Sequence, residues 1–229
     1  MIDWQAGFTM LVDKPLHWTS FDAVNKLRWN IRQKLKVKNI KVGHAGTLDP
    51  LATGLLVICT GKHTKQIEGL TIAAKTYTGT FLVGKTTPSY DLETAYNLEY
   101  PTEHITEAAI ELVRQSFLGT QQQTPPIFSA KQIDGQRAYD LARAGKEVVM
   151  RSNEITITDF TVDASRFPEI DFEVSCSKGT YIRSLAHDFG VKLGSGATLI
   201  ALRRTASGDF KIEDSKTIEE WIKVILEEE

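Results

Sequence analysis

The sequence predicts an α+β protein with a mixed, largely antiparallel sheet flanked by helices and loops. Predicted strands outnumber predicted helices, and the two kinds of element are intermixed along the chain, which is typical of this class. The 229 residues are 41% hydrophobic and 24% charged, an ordinary globular composition that can bury a sizeable core. No internal repeat or low-complexity tract divides the chain, and a single domain over residues 1–229 is expected.

The first quarter of the chain contains a predicted strand, a helix and a glycine-rich loop. Residues 9–12 precede Asp13-Lys14-Pro15, a pattern typical of a short strand that ends in a turn. A helix capped by Ser20 follows, because apolar residues recur there at spacings of three and four. Its apolar positions are Phe21, Val24, Leu27, Ile31 and Leu35. Three glycines within residues 43–54 predict a loop, and the apolar run 55–59 predicts a buried strand.

The remaining elements follow from periodicity and from turn residues. Tyr77, Phe81 and Val83 lie on one face of a predicted strand, with threonines on the other face. The polar, proline-containing segment 121–126 predicts a long loop. Helices are predicted at 106–117, 136–144, 180–193 and 217–228, strands at 154–162 and 170–177, and an apolar-then-basic element of unassigned type at 198–204.

The histidine, cysteine and apolar patterns argue against several classes of protein. The five histidines are scattered, and neither Cys-x-x-Cys nor His-Glu-x-x-His occurs, so no bound metal is predicted. Cys59 and Cys176 lie in apolar, strand-like segments, where reduced and buried thiols are expected. The first residues do not resemble a signal peptide, and no apolar run approaches the roughly 20 residues of a membrane helix. We therefore expect a cytoplasmic protein.

The charge distribution bears on the kind of partner. The formal net charge is −2, yet no acid occurs between Asp22 and Asp49. The basic residues of that interval are Lys26, Arg28, Arg32, Lys34, Lys36, Lys38 and Lys41. Such a stretch is often only a solvated helix face, but it also suits the backbone of a nucleic acid. Charge alone leaves both interpretations open.

The segment from Gly43 to Gly54, Gly-His-Ala-Gly-Thr-Leu-Asp-Pro-Leu-Ala-Thr-Gly, is the most informative in the chain. Its glycines allow sharp turns and a close approach of the backbone to a ligand. Pro50 disfavours the helical region for Asp49, so this carboxylate is held on an extended backbone. A fixed nucleophile and an Asx turn are both compatible with the pattern. The residue order differs from a P-loop, which makes a nucleotide triphosphatase a weak alternative.

This segment resembles the signature of the TruB family of tRNA pseudouridine synthases, which modify uridine 55 in the T loop. Other blocks that resemble the family follow in family order. They are Leu11-Val12-Asp13-Lys14-Pro15, Gly61-x-x-Thr64-Lys65, Lys75-x-Tyr77, Ser129-Ala130-Lys131, Ser177-Lys178-Gly179-Thr180-Tyr181-Ile182-Arg183 and Leu202-Arg203-Arg204. The resemblance covers roughly residues 8–212 and implies the pseudouridine synthase fold.

The resemblance implies an isomerase that needs no cofactor. Pseudouridine formation breaks the N-glycosidic bond, turns the base and rejoins it through carbon 5. Asp49 matches the family's catalytic aspartate and would act as the nucleophile, a known role for carboxylates at sugar carbons. Attack on C1′ of the ribose and attack on C6 of the base both remain open.

Two further residues acquire catalytic roles through the resemblance. Arg183 matches the arginine that the family pairs with the aspartate, and a guanidinium there would keep the carboxyl ionised. Tyr77 matches the tyrosine that stacks on the uracil, and it is the candidate for the base that removes the carbon-5 proton. Without the resemblance, Arg183 would be an exposed helix residue and Tyr77 a half-buried strand residue.

Five more residues are expected to contact the substrate. A base inside a folded T arm is inaccessible, so the enzyme is expected to flip the uridine out, at a cost of roughly a few kcal/mol. His44 matches the histidine that helps to occupy the vacated space, and Tyr181 and Leu202 match positions that line the uracil pocket. Lys14 and Lys65 are candidates for phosphate contacts or for the positioning of loops.

The chain also departs from the family pattern. Pro88 and Thr94 replace an acid and a glycine that the family usually has on either side of Asp91, which weakens any role for this loop.

The region near 121–146 resembles a mobile insertion that closes over the RNA. Only one acidic helix is expected after Phe210, so no separate C-terminal RNA-binding domain is predicted. The expected partner is the T arm of tRNA, bound by a monomer.

Two other functions remain as alternatives. One is an RNA-folding chaperone in which catalysis is secondary or lost, although the intact set of Asp49, Tyr77 and Arg183 argues against loss. The other is a glycoside hydrolase that acts through Asp49. Such hydrolases ordinarily place two carboxylates about the scissile bond, and no second acid lies in a comparable motif. The isomerase is therefore preferred.

Overall fold

The computed structural model describes residues 2–128, 132–133, 136–137 and 150–227. The chain divides into two compact units. The first unit consists of Met1–Tyr77 and Leu202–Glu229, and the second unit consists of Thr78–Ala201. Two long strands, Lys75–Val83 and Ala197–Ser207, each contribute residues to both units. The expectation of a single domain stays a prediction.

Strands outnumber helices among the described residues. The strands are β1 (Thr9–Lys14), β2 (Val42–Ala45), β3 (Ala52–Thr60), β4 (Lys75–Val83), β5 (Lys85–Thr86), β6 (Leu98–Glu99), β7 (Gly119–Gln123), β8 (Gln132–Ile133), β9 (Gln136–Arg137), β10 (Asn153–Arg166), β11 (Glu169–Cys176), β12 (Ala197–Ser207), β13 (Phe210–Lys211) and β14 (Lys216–Thr217). The α-helices are α1 (Ser20–Leu35), α2 (Ile67–Ile72), α3 (Glu107–Gln115), α4 (Ile182–Lys192) and α5 (Ile218–Glu227). The 3₁₀ helices are Gly61–Gln66 and Ile212–Asp214.

In the first unit, β3 is the central strand. It pairs antiparallel with β1 and β2 and parallel with β12, where Leu202 lies opposite Ala52. Every residue of β3 except Thr53 is buried, as expected for a strand with neighbours on both edges and covered faces. β1 also pairs in parallel with β14, and the indole Nε1 of Trp221 in α5 donates to the Leu11 carbonyl at 2.8 Å. These pairings bring the two chain segments of the first unit together.

Helix α1 covers the first unit, and two details of its sequence prediction were wrong. Its cap is Thr19, which forms a capping box with Asp22, whereas Ser20 is the first helical residue and bonds elsewhere. Val24, Leu27 and Ile31 are buried as their spacing predicts. Phe21 belongs to the same periodic series, yet 63% of its surface is exposed, because it lies at the edge of the apolar stripe.

The second unit is organised around a cluster of phenylalanines. Its strand order is β12-β4-β11-β10-β7, and β10 pairs antiparallel with both β11 and β7. Phe81 on β4 stacks on Phe172 of β11 at a centroid distance of 4.2 Å, and it also contacts Phe189 of α4. Phe160 on β10 and Phe117, two residues after α3, pack against Phe189. These contacts fix α4 on the sheet.

Most predicted elements are present with shifted ends. The strands predicted at 9–12, 154–162 and 170–177 are confirmed as β1, β10 and β11, and a mixed, largely antiparallel sheet is confirmed. The helices predicted at 106–117 and 180–193 are confirmed as the shorter α3 and α4.

Other element predictions need correction. The predicted loop 43–54 begins inside β2, and the predicted loop 121–126 begins inside β7. The unassigned segment 198–204 lies in β12. In each case pairing with another strand overrides local composition, and for β7 and β12 that strand is distant in sequence. Of the helix predicted at 136–144, Gln136 and Arg137 lie in β9, and the other residues lie outside the described part of the chain.

Two findings concern cysteines and membranes. Cys59 and Cys176 are free and buried, as the sequence predicts. Within the described residues, the helices are too short and too polar to cross a bilayer.

Candidate active site

The loop that carries Asp49 connects β2 to β3 and is held by the start of α1. The buried hydroxyl of Ser20 accepts a hydrogen bond from the Leu48 N–H at 2.8 Å and donates to the Leu48 carbonyl at 3.1 Å. The Asp49 carbonyl accepts a bond from the Ala52 N–H at 3.1 Å, which closes a turn. Both polar groups of the residue before Asp49 are therefore fixed by one side chain, and the aspartate sits on a preset backbone.

Arg204 braces the same loop from β12. Its side chain is 1% exposed, its Nε donates to the Leu55 carbonyl at 2.7 Å, and its Nη2 donates to the Gly46 carbonyl at 3.0 Å. These carbonyls lie on opposite sides of Asp49 in the chain. Gly46 has a φ of +84°, and a Cβ added there would lie 3.3 Å from Arg204 Nη1, so a side chain would disturb this contact.

Lys14 is a fully buried cation within electrostatic range of Asp49. It is 0% exposed, and its Nζ donates to the carbonyls of Pro15 at 2.9 Å and Trp18 at 2.6 Å. Burial lowers the pKa of Lys14 to about 8, with a smaller contribution from Arg204, while the Asp49 carboxylate acts in the opposite direction. Of the two roles considered for Lys14, this geometry favours the positioning of a loop over contact with a phosphate.

His44 lies on β2 opposite Ile58 and is half-buried. Burial lowers its pKa, and the charge of Arg204 lowers it further, whereas a bond with the Gly46 backbone opposes the shift. The imidazole is therefore held in its neutral form near pH 7. Its buried Nδ1 has no hydrogen-bond partner within the described residues, so one polar atom on β2 is unsatisfied.

The other predicted residues of the first unit lie on separate elements. Tyr77 is on β4 with only 9% of its surface exposed, and Leu202 is half-buried on β12. Lys65 belongs to the 3₁₀ helix Gly61–Gln66 and lines an open cleft of about 320 Å³. Lys41 and Lys62 line the same cleft, which gives it a concentration of positive charge.

Arg183 in the second unit is paired with Asp91. The two side chains are buried, with 3.7 Å between Arg183 Nε and Asp91 Oδ2, and Arg183 Nη1 donates to the Ser89 carbonyl at 3.3 Å. Asp91 Oδ1 accepts a bond from the Glu93 N–H at 3.0 Å. The loop around Asp91 is therefore attached to Arg183. The departures of this loop from the family pattern, at Pro88 and Thr94, weaken any role predicted for the loop itself.

Tyr90 attaches the same loop to α4 at a second point. Its ring stacks on His187 with a centroid distance of 4.1 Å and an interplanar angle of 13°. Tyr90 has a φ of +65°, which is uncommon for a residue with a side chain. Burial lowers the pKa of His187, and burial and the nearby Asp188 raise the pKa of Tyr90. Both rings are therefore neutral near pH 7.

Tyr181 precedes α4 and is held through its backbone. Its N–H donates to Gln123 Oε1 at 2.8 Å, and its carbonyl accepts from Gln123 Nε2 at 3.0 Å. Ser184, one turn later, donates to the Thr124 carbonyl at 2.7 Å. The end of β7 therefore fixes the start of the helix that carries Arg183.

The predicted site residues thus fall into two groups. In the first unit, Lys14, His44 and Asp49 cluster around Arg204 through the interactions described above. Tyr181 and Arg183 belong to the second unit, and the pairing of Arg183 with Asp49 stays a prediction.

Sequence reasoning assigned no role to Arg204 or Asp91. The signal for Arg204 was its position in the Leu202-Arg203-Arg204 block, but its burial could not be read from that block. Within the described residues, no cluster of three histidine, cysteine, aspartate or glutamate side chains could hold a metal ion.

Comparison with protein families gives two adjoining matches. A family model described as "TruB family pseudouridylate synthase (N terminal domain)" matches residues 32–182, and a model of the "tRNA pseudouridylate synthase B C-terminal domain" matches residues 183–229. The second segment does not form a unit of its own, because its residues up to Ala201 belong to the second unit and the rest to the first.

Individual proteins match over nearly all of the chain. The tRNA pseudouridine synthase B of Flavobacterium johnsoniae is 55% identical over 210 residues, which are 91% of this chain and 92% of that protein. The tRNA pseudouridine synthase B of Phocaeicola vulgatus is 50% identical over 224 residues, which are 96% of this chain and 95% of that protein.

Solved structures match over a smaller share of their own length. A chain of a Cbf5–Nop10–Gar1 complex has a TM-score of 0.71 and 29% identity, covering 96% of this chain and 54% of that chain. A chain of an H/ACA ribonucleoprotein bound to a substrate RNA containing 2′-deoxyuridine has a TM-score of 0.68 and 27% identity, covering 96% and 53%. This chain therefore spans about half the length of these solved chains.

Proposed function

The chain belongs to the TruB family of pseudouridylate synthases, and on this premise we propose that it converts uridine 55 in the T loop of tRNA into pseudouridine, with Asp49 as the nucleophile. The relatives at about half identity are named as tRNA pseudouridine synthases, which supports tRNA as the substrate. One structural observation carries the role of Asp49. Its loop is braced by the buried side chains of Ser20 and Arg204, as a nucleophile of fixed position requires.

The reaction balances without an external reagent. The bond between N1 of uracil and C1′ of ribose breaks, and a bond between C5 and C1′ forms. The proton on C5 is removed and N1 gains a proton, so atoms and electrons are conserved. We therefore propose that no metal or redox cofactor takes part. The Asp49 carboxylate forms a transient covalent bond with the nucleoside, at C1′ or at C6.

The other predicted residues have distinct roles in this proposal. Tyr77 stacks on the uracil and removes the C5 proton, and its nearly buried position on β4 gives the ring a fixed orientation. Arg183 pairs with Asp49, and its bonds to the Asp91 loop hold the guanidinium in place. Tyr181 and Leu202 line the uracil pocket. Gln123 fixes the backbone of Tyr181, and pairing of β12 with β3 fixes the backbone of Leu202.

Recognition of the RNA involves one histidine and several lysines. The half-buried, neutral His44 contacts the RNA around the flipped nucleotide. Lys65, with Lys41 and Lys62 in its cleft, contacts a phosphate, while Lys14 positions the loop after β1. We propose that the region near 121–146 closes over the RNA; most of it after Phe128 lies outside the described part of the chain, and β7 at its start pairs with β10.

We further propose that the protein acts as a monomer in the cytoplasm, where its tRNA substrate is found. The measurement that tests the catalytic proposal is tritium release from a T-arm stem-loop labelled at carbon 5 of its uridines. The wild type should release tritium, and Asp49→Asn should bind the RNA without release. Asp209→Asn makes the same chemical change at an exposed position and serves as the matched control.

The outcomes separate the alternatives. If the wild type binds the stem-loop but releases no tritium, the chain acts as an RNA chaperone rather than as an isomerase of this substrate. If Asp49→Asn releases tritium at the wild-type rate, Asp49 is not the nucleophile.

A further inference from the structure

Helix α1 exposes two large aromatic side chains that its packing does not use. Phe21 is 63% exposed and Trp29 is 55% exposed, whereas the apolar stripe of the helix is buried through Val24, Leu27 and Ile31. Single exposed apolar residues are common on protein surfaces. Two aromatic rings on one solvent-facing side of the same helix leave a larger apolar area in water, and they call for an explanation through binding.

Two cations lie on the same side of the helix as the rings. At 100° per residue, Phe21, Asn25, Arg28, Arg32 and Trp29 project within an arc of about 100°, and the two aromatic residues are about 12 Å apart along the axis. We call this set the α1 face. Arg28 and Arg32 are half-buried residues, the Arg28 guanidinium donates to Asn25 Oδ1, and the buried Nε of Arg32 has no hydrogen-bond partner within the described residues.

The charge of this face has one sign. Asp22, the acid next to Phe21, is engaged by Thr19 in the capping box, and no further acid occurs before Asp49. Lys26 and Lys36 are exposed at the margins of the face. The chain as a whole has a formal net charge of −2, so this local excess of positive charge is a property of the segment between Asp22 and Asp49 rather than of the average composition.

The α1 face is also connected to the loop that carries Asp49. Ser20, the neighbour of Phe21, makes both hydrogen bonds to Leu48, so the start of the helix is held against the loop. At its other end, α1 leads through the basic residues after Leu35 to the cleft lined by Lys41, Lys62 and Lys65. Positive charge therefore continues along the first unit from the Asp49 loop to this cleft.

We propose that the α1 face is an RNA-docking surface beyond the uracil pocket, on which Phe21 and Trp29 stack with unpaired bases and Arg28 and Arg32 bind the adjoining phosphates. Aromatic rings interleaved with guanidinium groups are the combination that recognises single-stranded RNA, since every base offers a flat face and every linkage a negative charge. A protein partner with an apolar surface, or with charges of both signs, would not require this face to carry only positive charge. The substrate RNA is the polyanion that the proposed function supplies, and the inference rests on that function.

Intrinsic fluorescence tests the stacking directly. The chain has four tryptophans, of which Trp4 and Trp221 are buried and Trp18 is half-buried, so Trp29 is the most accessible to a base. Binding of a full-length tRNA transcript should quench the wild-type emission. Trp29→Phe should remove most of that quenching while the RNA still binds, because phenylalanine keeps a stacking surface. Equal quenching in both proteins would overturn the contact with Trp29.

Affinity provides the second measurement. Phe21→Ala and Trp29→Ala should each raise Kd by about five- to a hundredfold, the range expected when one base stack is removed. The loss should appear in KM rather than in kcat. Arg28→Gln with Arg32→Gln should reduce the slope of log Kd against log salt by roughly 0.7 for each phosphate that the protein no longer binds. Unchanged Kd and unchanged slope would overturn the proposal.

Leu112→Ala is the matched control. Leu112 is 68% exposed on α3 in the second unit, and its truncation should leave Kd and KM as in the wild type. Alanine favours helix at all three positions, so folding is retained and can be checked by circular dichroism. If Trp29→Ala instead abolishes a dimer seen by sedimentation of the free protein, the face is a protein interface and the proposal fails.

The design separates this inference from the proposed function. Tritium release by the wild type, with Kd unaffected by Phe21→Ala and Trp29→Ala, refutes the docking surface alone. Absence of release, with Kd raised by these variants, refutes the isomerase proposal and leaves the docking surface in place.

Discussion

Tyr90 stacks on His187, and its neighbour Asp91 forms a buried pair with Arg183. Two adjacent residues of one loop therefore contact two residues that lie one turn apart on α4. The positive φ of Tyr90 costs roughly 1–2 kcal/mol for a residue with a side chain. A ring stack of this kind stabilises by about 0.5–1.5 kcal/mol beyond the area that it buries. The stack therefore offsets backbone strain at the residue that places Asp91.

Truncation of this ring should loosen the Asp91 loop. We expect Tyr90→Ala to lower the free energy of unfolding by roughly 1–3 kcal/mol and to lower kcat about tenfold, because Arg183 then loses a fixed partner. Tyr90→Phe keeps the stack and should restore both values to near those of the wild type. Urea unfolding and single-turnover tritium release measure the two effects. A similar kcat for Tyr90→Ala and Tyr90→Phe would contradict this positioning role.

Arg204 should be essential for the loop that carries Asp49. Replacement by lysine leaves at least one of the carbonyls of Gly46 and Leu55 without its donor, at a cost of roughly 1–3 kcal/mol for each buried unsatisfied group. We expect Arg204→Lys to unfold at lower urea concentration and to lose most tritium release.

Arg203→Lys is the neighbouring control for that substitution. Arg203 bonds Asp13 from a partly exposed position, so its replacement should change stability by less than about 1 kcal/mol. Equal effects of the two substitutions would show that Arg204 has no special role in bracing the loop.

The hydroxyl of Ser20 should matter for catalysis rather than for the helix that it begins. Ser20→Ala leaves the N–H and the carbonyl of Leu48 without their partner, and the Asp49 backbone should shift. We expect kcat to fall by about tenfold or more with a smaller change in Kd. Thr19→Ala removes the helix cap at a cost of roughly 1 kcal/mol and should leave kcat close to the wild-type value. A loss of kcat in both variants would point to general destabilisation instead.

Local sequence predicted Asp49 but not the side chains that hold it. Pro50 restricts the residue before it, and the glycines permit the turn, so a fixed carboxylate follows from adjacent residues. Ser20 reaches Leu48 across 28 positions, and Arg204 reaches Gly46 across 158 positions. Contacts at such separations have no local signature, which is why the sequence predicts Ser20 as a cap and predicts no role for Arg204.

Periodicity likewise predicted the positions of the helices and strands better than it predicted which of their residues are exposed. Phe21 shares the helical spacing of Val24 and Leu27, yet it lies at the margin of the stripe, and only packing decides which margin faces water. β7 contains three consecutive glutamines and is a strand because β10 pairs with it. The strand propensity of such a segment is low, and the hydrogen bonds of a distant partner outweigh it.

Buried Lys14 should give stability a specific dependence on pH. Its pKa is about 8 in the folded protein and 10.5 in a solvated lysine, so between these values the unfolded chain binds more protons and stability rises with pH. Below pH 8 both states carry the charge, and the burial cost is constant. The rise should total roughly 3 kcal/mol.

Urea unfolding of the wild type and of Lys14→Met from pH 7.5 to 10.5 measures this rise as the difference in stability between the two proteins. The buried thiol of Cys59, whose pKa is raised by burial, has the opposite effect in both proteins and cancels. Parallel stability curves for the two proteins would mean that Lys14 keeps its charge well above pH 8.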